Sequence, residues 1–170
     1  ASTILRGVDY IHVPTTLLAH DSAIGGKTAI NSQHGKNLIG AFYRPAAVVY
    51  DLDFMTSLPE SEILSGFGEV FKHAMLNDAE LLAELMSVTK DKIELSELTP
   101  FIIKGIETKM KIVIADEHES GSRKFLNLGH TLAHALEYKY KIPHGQAVML
   151  GLLASLYISN VLHATNFDLD

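Results

Sequence analysis

The 170-residue chain has no cysteine, which excludes disulfides and thiolate metal sites and leaves His, Asp or Glu to hold any transition metal. An excess of positive charge is also missing, with 14 Lys and Arg against 20 Asp and Glu and a net charge of −6. Counterion release needs clustered basic residues, so a general nucleic-acid surface is not expected. No basic segment followed by an apolar run opens the chain, so no secretory signal is visible and a cytoplasmic setting is expected. Long hydrophobic runs are absent but for Ala147 to Ala164, which Ser155, Ser159, Asn160 and His163 interrupt. That run reads as a buried core helix rather than a membrane span. At 47% hydrophobic and 20% charged residues, the composition is that of a globular protein of one or two small domains.

The two halves are patterned differently. Short β-type runs at Tyr10 to Val13, Thr28 to Asn31, Leu38-Ile39 and Ala47 to Tyr50 are separated by Pro14, Gly25-Gly26, Gly35, Gly40 and Pro45, which is strand-and-turn punctuation. From Pro59 the spacing becomes helical. Pro59-Glu60-Ser61-Glu62 suits a helix start, and helices are expected to Asn77, then over Ala79 to Val88, Pro100 to Ala115, Leu126 to Tyr138 and His144 to His163. The pattern predicts an α/β part over residues 1–58 and an all-α part over 59–170. Ala1 to Arg6 reads as the end of a helix whose start is missing, and the chain as a piece of a longer protein.

Three constellations carry chemistry. The first is Arg123 to His134 with Pro143-His144-Gly145, since clustered imidazoles mark metal or proton-transfer sites. His130 and His134 stand at i and i+4, so spacing alone makes both ligands. His144 opens the next helix and is placed to fold back on His130. Glu69, flanked by glycines and apolar residues in mid-helix, is the best carboxylate candidate, because burying an unpaired carboxylate is costly and a metal would satisfy it. His73 is a rival. One Glu with two His leaves an open coordination position, as catalytic sites do.

The second constellation is Asp21 to Thr28 with Gly35-Lys36-Asn37. A P-loop reading of Gly25-Gly26-Lys27-Thr28 fails, because Asp21 stands where the first glycine belongs and a β-type run follows where a helix is required. Lys27 and Lys36 as two cations facing an anion survives, beside a plain solvated hairpin. The third is Lys104, Lys109, Lys111 and Arg123 beside the acidic run Asp116 to Glu119, which could give one pocket local positive charge in an acidic whole.

Together these motifs resemble the 3-dehydroquinate synthase family of the shikimate pathway. The resemblance rests on Val13 to Ala19, Asp21 to Lys27, Gly35 to Phe42, Gly68-Glu69-Val70, Asp116-Glu117, Arg123 to His134 and His144-Gly145. It implies the end of a Rossmann-like NAD domain bearing a β-hairpin, followed by a helical metal domain. The implied activity is an NAD- and divalent-metal-dependent phosphate lyase, usually a homodimer, which converts 3-deoxy-D-arabino-heptulosonate 7-phosphate to 3-dehydroquinate and phosphate for aromatic amino-acid synthesis. The implied metal, zinc or cobalt, is held by Glu69, His130 and His144, while His134 becomes a catalytic and hydrogen-bonding residue. NAD contacts are implied at Thr15, Thr16, Asp21, Lys27, Lys36 and Ser57, the last a position where threonine is usual. Arg6, Lys27, Asn37, Lys72, Lys109, Arg123 and Asn127 are implied to surround the substrate, with Arg6 reaching the second subunit's site. The family's glycine-rich dinucleotide turn has no equivalent here, so the chain alone is expected to be inactive. A related sugar-phosphate cyclase, a metal-dependent polyol dehydrogenase and a non-enzymatic metal-binding or assembly module are the alternatives.

Overall fold

The computed structural model describes residues 1–169, and of Lys36 the backbone alone. All β structure among them precedes residue 49. Strand β1 (Ile11–His12) pairs in parallel with β4 (Ala47–Val48), and β2 (Lys27–Ser32) pairs antiparallel with β3 (Gly35–Phe42). The register sets Lys27 opposite Phe42 and Ile30 opposite Ile39, and shifts between Ile30 and Ser32. Asn37 there has φ 59°, and its N–H donates to the Asn31 side chain at 3.1 Å, the kind of local bond that lets asparagine adopt a left-handed conformation. A single turn of helix, α1 (Ala19–Ser22), lies between β1 and β2 in sequence.

Five longer helices follow: α2 (Glu60–Asn77), α3 (Ala79–Val88), α4 (Leu95–Ala115), α5 (His130–Tyr140) and α6 (His144–His163). Extended Pro59 precedes α2, whose first turn carries Glu60 and Glu62, placing negative charge at the positive end of the helix dipole. Asp78 is extended, which ends α2, and its carboxylate accepts from Leu81 N at 2.7 Å, which starts α3.

Three expectations need correction. Ala1 to Arg6 forms turns rather than a helix end, because Leu5 (φ 49°) and Arg6 (φ 66°) are left-handed. Helix α4 begins at Leu95, ahead of Pro100, which sits inside it. The carbonyl that loses its donor to Pro100 is that of Ser96, and both residues are exposed, so water can take the bond. The helix expected from Leu126 is broken: a 3₁₀ stretch runs from Ser122 to Asn127, Leu128 is extended, and α5 starts only at His130. The cause is Gly129, at φ 79°, whose carbonyl lies so close to α6 that a Cβ on Gly151 would stand 2.0 Å from it.

Helix α2 is the centre of the molecule. One side packs on Leu17, Met55, Leu85, Leu98, Phe101 and Ile102, and the other faces Ala133, Ala147, Val148 and Leu152 of α5 and α6. Phe71 touches both clusters. Each fully buried leucine here contributes about 1.5–3 kcal/mol. Helix α6 was expected to be core throughout, but its buried positions, Gly145, Ala147, Val148, Gly151 and Leu152, all fall in its first half. It is long and apolar enough to cross a membrane by length and composition.

Candidate metal and anion site

Glu69 lies in mid-α2 between the two cores and is fully buried. Helix α6 reaches it because both backbones are bare at the crossing: a Cβ on Gly68 would stand 2.3 Å from the Gly145 carbonyl oxygen, and one on Gly145 would stand 1.7 Å from that of Ser65. The close approach sets His144 beside Glu69. The late start of α5 does the same for His130, so His144 Nε2 and His130 Nε2 lie 3.3 and 3.4 Å from Glu69 Oε1. Ligand atoms of these three residues fall within 4.8 Å of one another.

The far ring nitrogens are also engaged. His130 Nδ1 is 3.1 Å from the Leu128 carbonyl oxygen and His144 Nδ1 is 3.2 Å from Glu137 Oε2. Both partners are acceptors, so each Nδ1 carries a proton and each Nε2 is left to face the Glu69 carboxylate. A proton on the ring or a metal ion bridges that contact. Neither Glu69 oxygen accepts a hydrogen bond of good geometry, and only ion contacts, including one from buried Lys72 to Oε2, reach them. Burial alone would raise the Glu69 carboxyl, but His130, His144 and Lys72 hold it well below the usual range. Glu69 raises His144. The donor set therefore fits a divalent ion with an open position.

His134 lies one helical turn on from His130, the ring centroids 5.5 Å apart and edge to face. The i, i+4 spacing brings both rings to one side of α5, yet the carboxylate is met by His130 and His144. His73 belongs to a second group with Asp21 and Glu69. Its Nε2 is 2.9 Å from Asp21 Oδ1, and Lys109 Nζ is 2.8 Å from the same atom. Burial would raise Asp21, but Lys109, Lys72 and His73 hold its carboxyl well down, and burial lowers the Lys109 ammonium against the pull of Asp21. His20, whose Nε2 is 3.4 Å from His73 Nδ1, is pushed down to about 4 mainly by burial.

Above these groups opens a cavity of about 750 Å³, whose lining includes Asp21, Lys27, Asn37, Lys72, Lys109, Arg123, Asn127, His130, His134 and His144. The hairpin forms one wall and α2, α4 and α5 the others. Buried Arg123 ties the two together: its Nη2 donates to the Gly25 carbonyl at 2.7 Å, its Nη1 to that of Glu117, and its guanidinium lies 5.6 Å from the Phe42 ring centroid. Of the other sequence candidates, Arg6, Thr15 and Ser57 are exposed and, with Thr16, lie outside this lining. Lys36 is on β3, with its side chain outside the described residues. Lys104 and Lys111 are exposed and do not join the cavity.

Two acidic groups have roles that sequence reasoning did not separate. Glu137 orients His144, and its signal was its place two helical turns after His130. Asp116 closes the loop that carries Arg123, accepting from the backbone N–H of Arg123, Gly121 and Ser120 at 3.0, 2.7 and 2.9 Å. These bonds, that of Arg123 foremost, lower its carboxyl from 3.8 to about 2. A depressed carboxyl stabilises the fold above its unfolded pKa and loses that contribution as pH falls through its folded one. The loop is thus expected to stay closed at pH 5 and to loosen between about pH 4 and 2. A carbonyl-carbon NMR titration of Asp116 reads this directly, and a midpoint near 4 would refute it.

Residues 1–65 match the family described as 3-dehydroquinate synthase N-terminal, and residues 66–168 match 3-dehydroquinate synthase C-terminal. The chain belongs to the 3-dehydroquinate synthase family. It is 59% identical over 172 residues to the 3-dehydroquinate synthase of Staphylococcus carnosus, covering 99% of this chain and 48% of that protein. Against the enzyme of Staphylococcus saprophyticus the figures are 55%, 99% and 48%. The chain thus spans about half the length of the curated relatives it matches. Among solved structures it is similar to 2-deoxy-scyllo-inosose synthase complexed with carbaglucose-6-phosphate, NAD⁺ and Co²⁺, with TM-score 0.85 and 31% identity over 98% of this chain and 47% of that one. A 2-epi-5-epi-valiolone synthase from Streptomyces hygroscopicus subsp. jinggangensis, with NAD⁺ and Zn²⁺ bound, shares the fold at TM-score 0.79 and 22% identity, over 99% of this chain and 54% of that one.

Proposed function

We propose that this chain supplies the metal and substrate half of a 3-dehydroquinate synthase, converting 3-deoxy-D-arabino-heptulosonate 7-phosphate to 3-dehydroquinate and phosphate with catalytic NAD. The observation that carries this reading is Glu69, His130 and His144 converging beneath a cavity lined by Lys27, Lys72, Lys109 and Arg123. Residues 1–58 are the end of the NAD-binding α/β domain and residues 59–170 the helical metal- and substrate-binding domain. The intact protein is a cytoplasmic homodimer.

Glu69, His130 and His144 hold the divalent ion, zinc or cobalt. When bound, the ion acidifies a substrate hydroxyl as a Lewis acid and NAD⁺ supplies a reversible hydride acceptor. The chain's own residues do the rest. Lys27, Asn37 and Arg123 present donors to the phosphoryl group, with Arg6 completing the site from the second subunit. Lys72, Lys109 and Asn127 face the hydroxyls and carboxylate of the sugar acid. His134, beside the metal ligands and on the cavity wall, moves the proton that accompanies phosphate loss. Thr15, Thr16, Asp21, Lys27, Lys36 and Ser57 lie on the NAD side. Fixing one flexible substrate against so many groups turns a sequence of steps into one bound event.

The test is a turnover assay on the intact protein with metal and NAD. Release of phosphate in step with 3-dehydroquinate, without net NADH, supports the reading. Steady accumulation of NADH would replace it with a dehydrogenase. The likeness to 2-deoxy-scyllo-inosose synthase favours a second reading, a cyclase making another carbocycle, which product analysis separates. The 170-residue chain assayed alone is expected to release no phosphate.

A further inference from the structure

Helix α1 is a single turn, yet it buries an imidazole. His20 of α1 and His73 of α2 are both buried, and the chemistry above uses neither. They stand in series. His20 Nδ1 lies 2.6 Å from the Leu17 carbonyl oxygen, and His20 Nε2 lies 3.4 Å from His73 Nδ1. His73 Nε2 in turn lies 2.9 Å from Asp21 Oδ1. A carbonyl can only accept, so the one proton of neutral His20 sits on Nδ1 and its Nε2 accepts from the Nδ1–H of His73. A second proton on Nε2 lets His73 face the Asp21 carboxylate as an imidazolium.

Bare glycines hold the series in place. Buried Leu17 presses on Gly66 of α2, where a Cβ would stand 2.4 Å from its side chain, and the His73 ring lies beside Gly105 of α4, where a Cβ would stand 2.8 Å from Nδ1. Apolar side chains would fill the same space without the cost of burying polar rings, which points to the far end of the series. There Asp21 lines the cavity, and its Oδ1 meets His73 from α2 and Lys109 from α4, leaving Oδ2 for a ligand.

We propose that His20 and His73 are positioning residues, which fix the Asp21 carboxylate toward NAD through a chain anchored on the Leu17 carbonyl. The inference rests on the reading above that Asp21 lies on the NAD side. A lysine on its flexible stem pulls on Oδ1 without setting the plane of the carboxylate, whereas a rigid ring held at its far nitrogen sets it.

The experiment is calorimetric titration of NAD⁺ into the intact, metal-loaded protein as wild type, His20→Leu, His20→Gln, Asp21→Asn and the double variant Asp21→Asn with His20→Leu, with KM for the sugar phosphate measured alongside. His20→Leu is expected to weaken NAD⁺ about tenfold and to leave the sugar-phosphate KM within about twofold. His20→Gln, whose amide oxygen can accept from His73, is expected to recover most of that loss. In the Asp21→Asn background His20→Leu is expected to have no further effect. NAD⁺ affinity that falls in Asp21→Asn but not in His20→Leu would overturn the role of the histidines alone. A loss that adds to that of Asp21→Asn, or that falls equally on NAD⁺ and sugar phosphate with a lower melting temperature, would make them a brace only and also overturn it. Should His20→Leu not fold, ¹⁵N-histidine spectra of the wild type decide, since a His20 proton on Nε2 instead of Nδ1 overturns the series and one on Nδ1 supports it. If Asp21→Asn binds NAD⁺ as tightly as wild type, the reading of Asp21 itself fails, and this inference with it.

Discussion

Intact protein carrying Glu69→Gln is expected to purify without stoichiometric divalent metal and to lose turnover. A neutral amide is a poor ligand for a transition metal, and the loss of affinity should exceed the roughly 10–100-fold that removal of a merely supporting residue produces. The second consequence concerns stability. Lys72 is 1% exposed and its Nζ is paired to Glu69, so the substitution strands a buried ammonium, which costs about 3–5 kcal/mol. Adding Lys72→Met should recover most of that loss, since an apolar side chain of similar length has no charge to solvate, but should not recover the metal. Metal content by mass spectrometry and urea midpoints on both variants separate the two effects. Glu69→Gln protein that retains one tightly held ion would sink the ligand assignment.

Gly145→Ala is expected to damage the site without touching a ligand. The added methyl carbon would stand 1.7 Å from the Ser65 carbonyl oxygen and 2.6 Å from its carbon. Both are backbone atoms of α2, so no side chain can rotate away and the helices must separate. Overpacking of this kind costs about 1–3 kcal/mol where neighbours relax, and a rigid helix pair belongs at or above the top of that range. Because His144 is the adjacent residue, any shift of α6 also lengthens its approach to Glu69. The variant should therefore show both a lower urea midpoint and weaker metal binding. An unfolding free energy within about 0.5 kcal/mol of wild type would mean that the helices do not meet as described.

Much of this was legible in the residues. The change from strand-like to helical spacing near Pro59 located the end of β structure, and Glu69 in mid-helix, flanked by Gly68 and apolar Val70, announced a buried carboxylate. Other features were not. Spacing made His134 the partner of His130, because i, i+4 geometry says which face a residue occupies but not which distant helix covers that face. Leu126 to Gly129 read as helix because its apolar residues suit one, whereas the contact of Gly129 with α6 decides the matter. Pro100 looked like a start because proline usually is one, and only the exposure of Ser96 shows why it is tolerated inside α4. Glu119 was read only as part of an acidic run, since its pairing with distant Lys27 leaves no local pattern, and Glu137 drew no notice although it follows His130 by two helical turns.

The ties that close the cavity have a further consequence for how the chain reaches its native state. Lys109 meets the Asp21 carbonyl across 88 positions and Arg123 meets that of Gly25 across 98, whereas β2 with β3 and α5 with α6 join neighbours in sequence. Loop-closure entropy delays remote contacts until local ones have shortened the chain between them. Hairpins of both kinds form early on that account, and the cluster of buried lysines, carboxylates and imidazoles is dehydrated last, when every partner has arrived. The buried polar cluster is thus expected to assemble after the local hairpins.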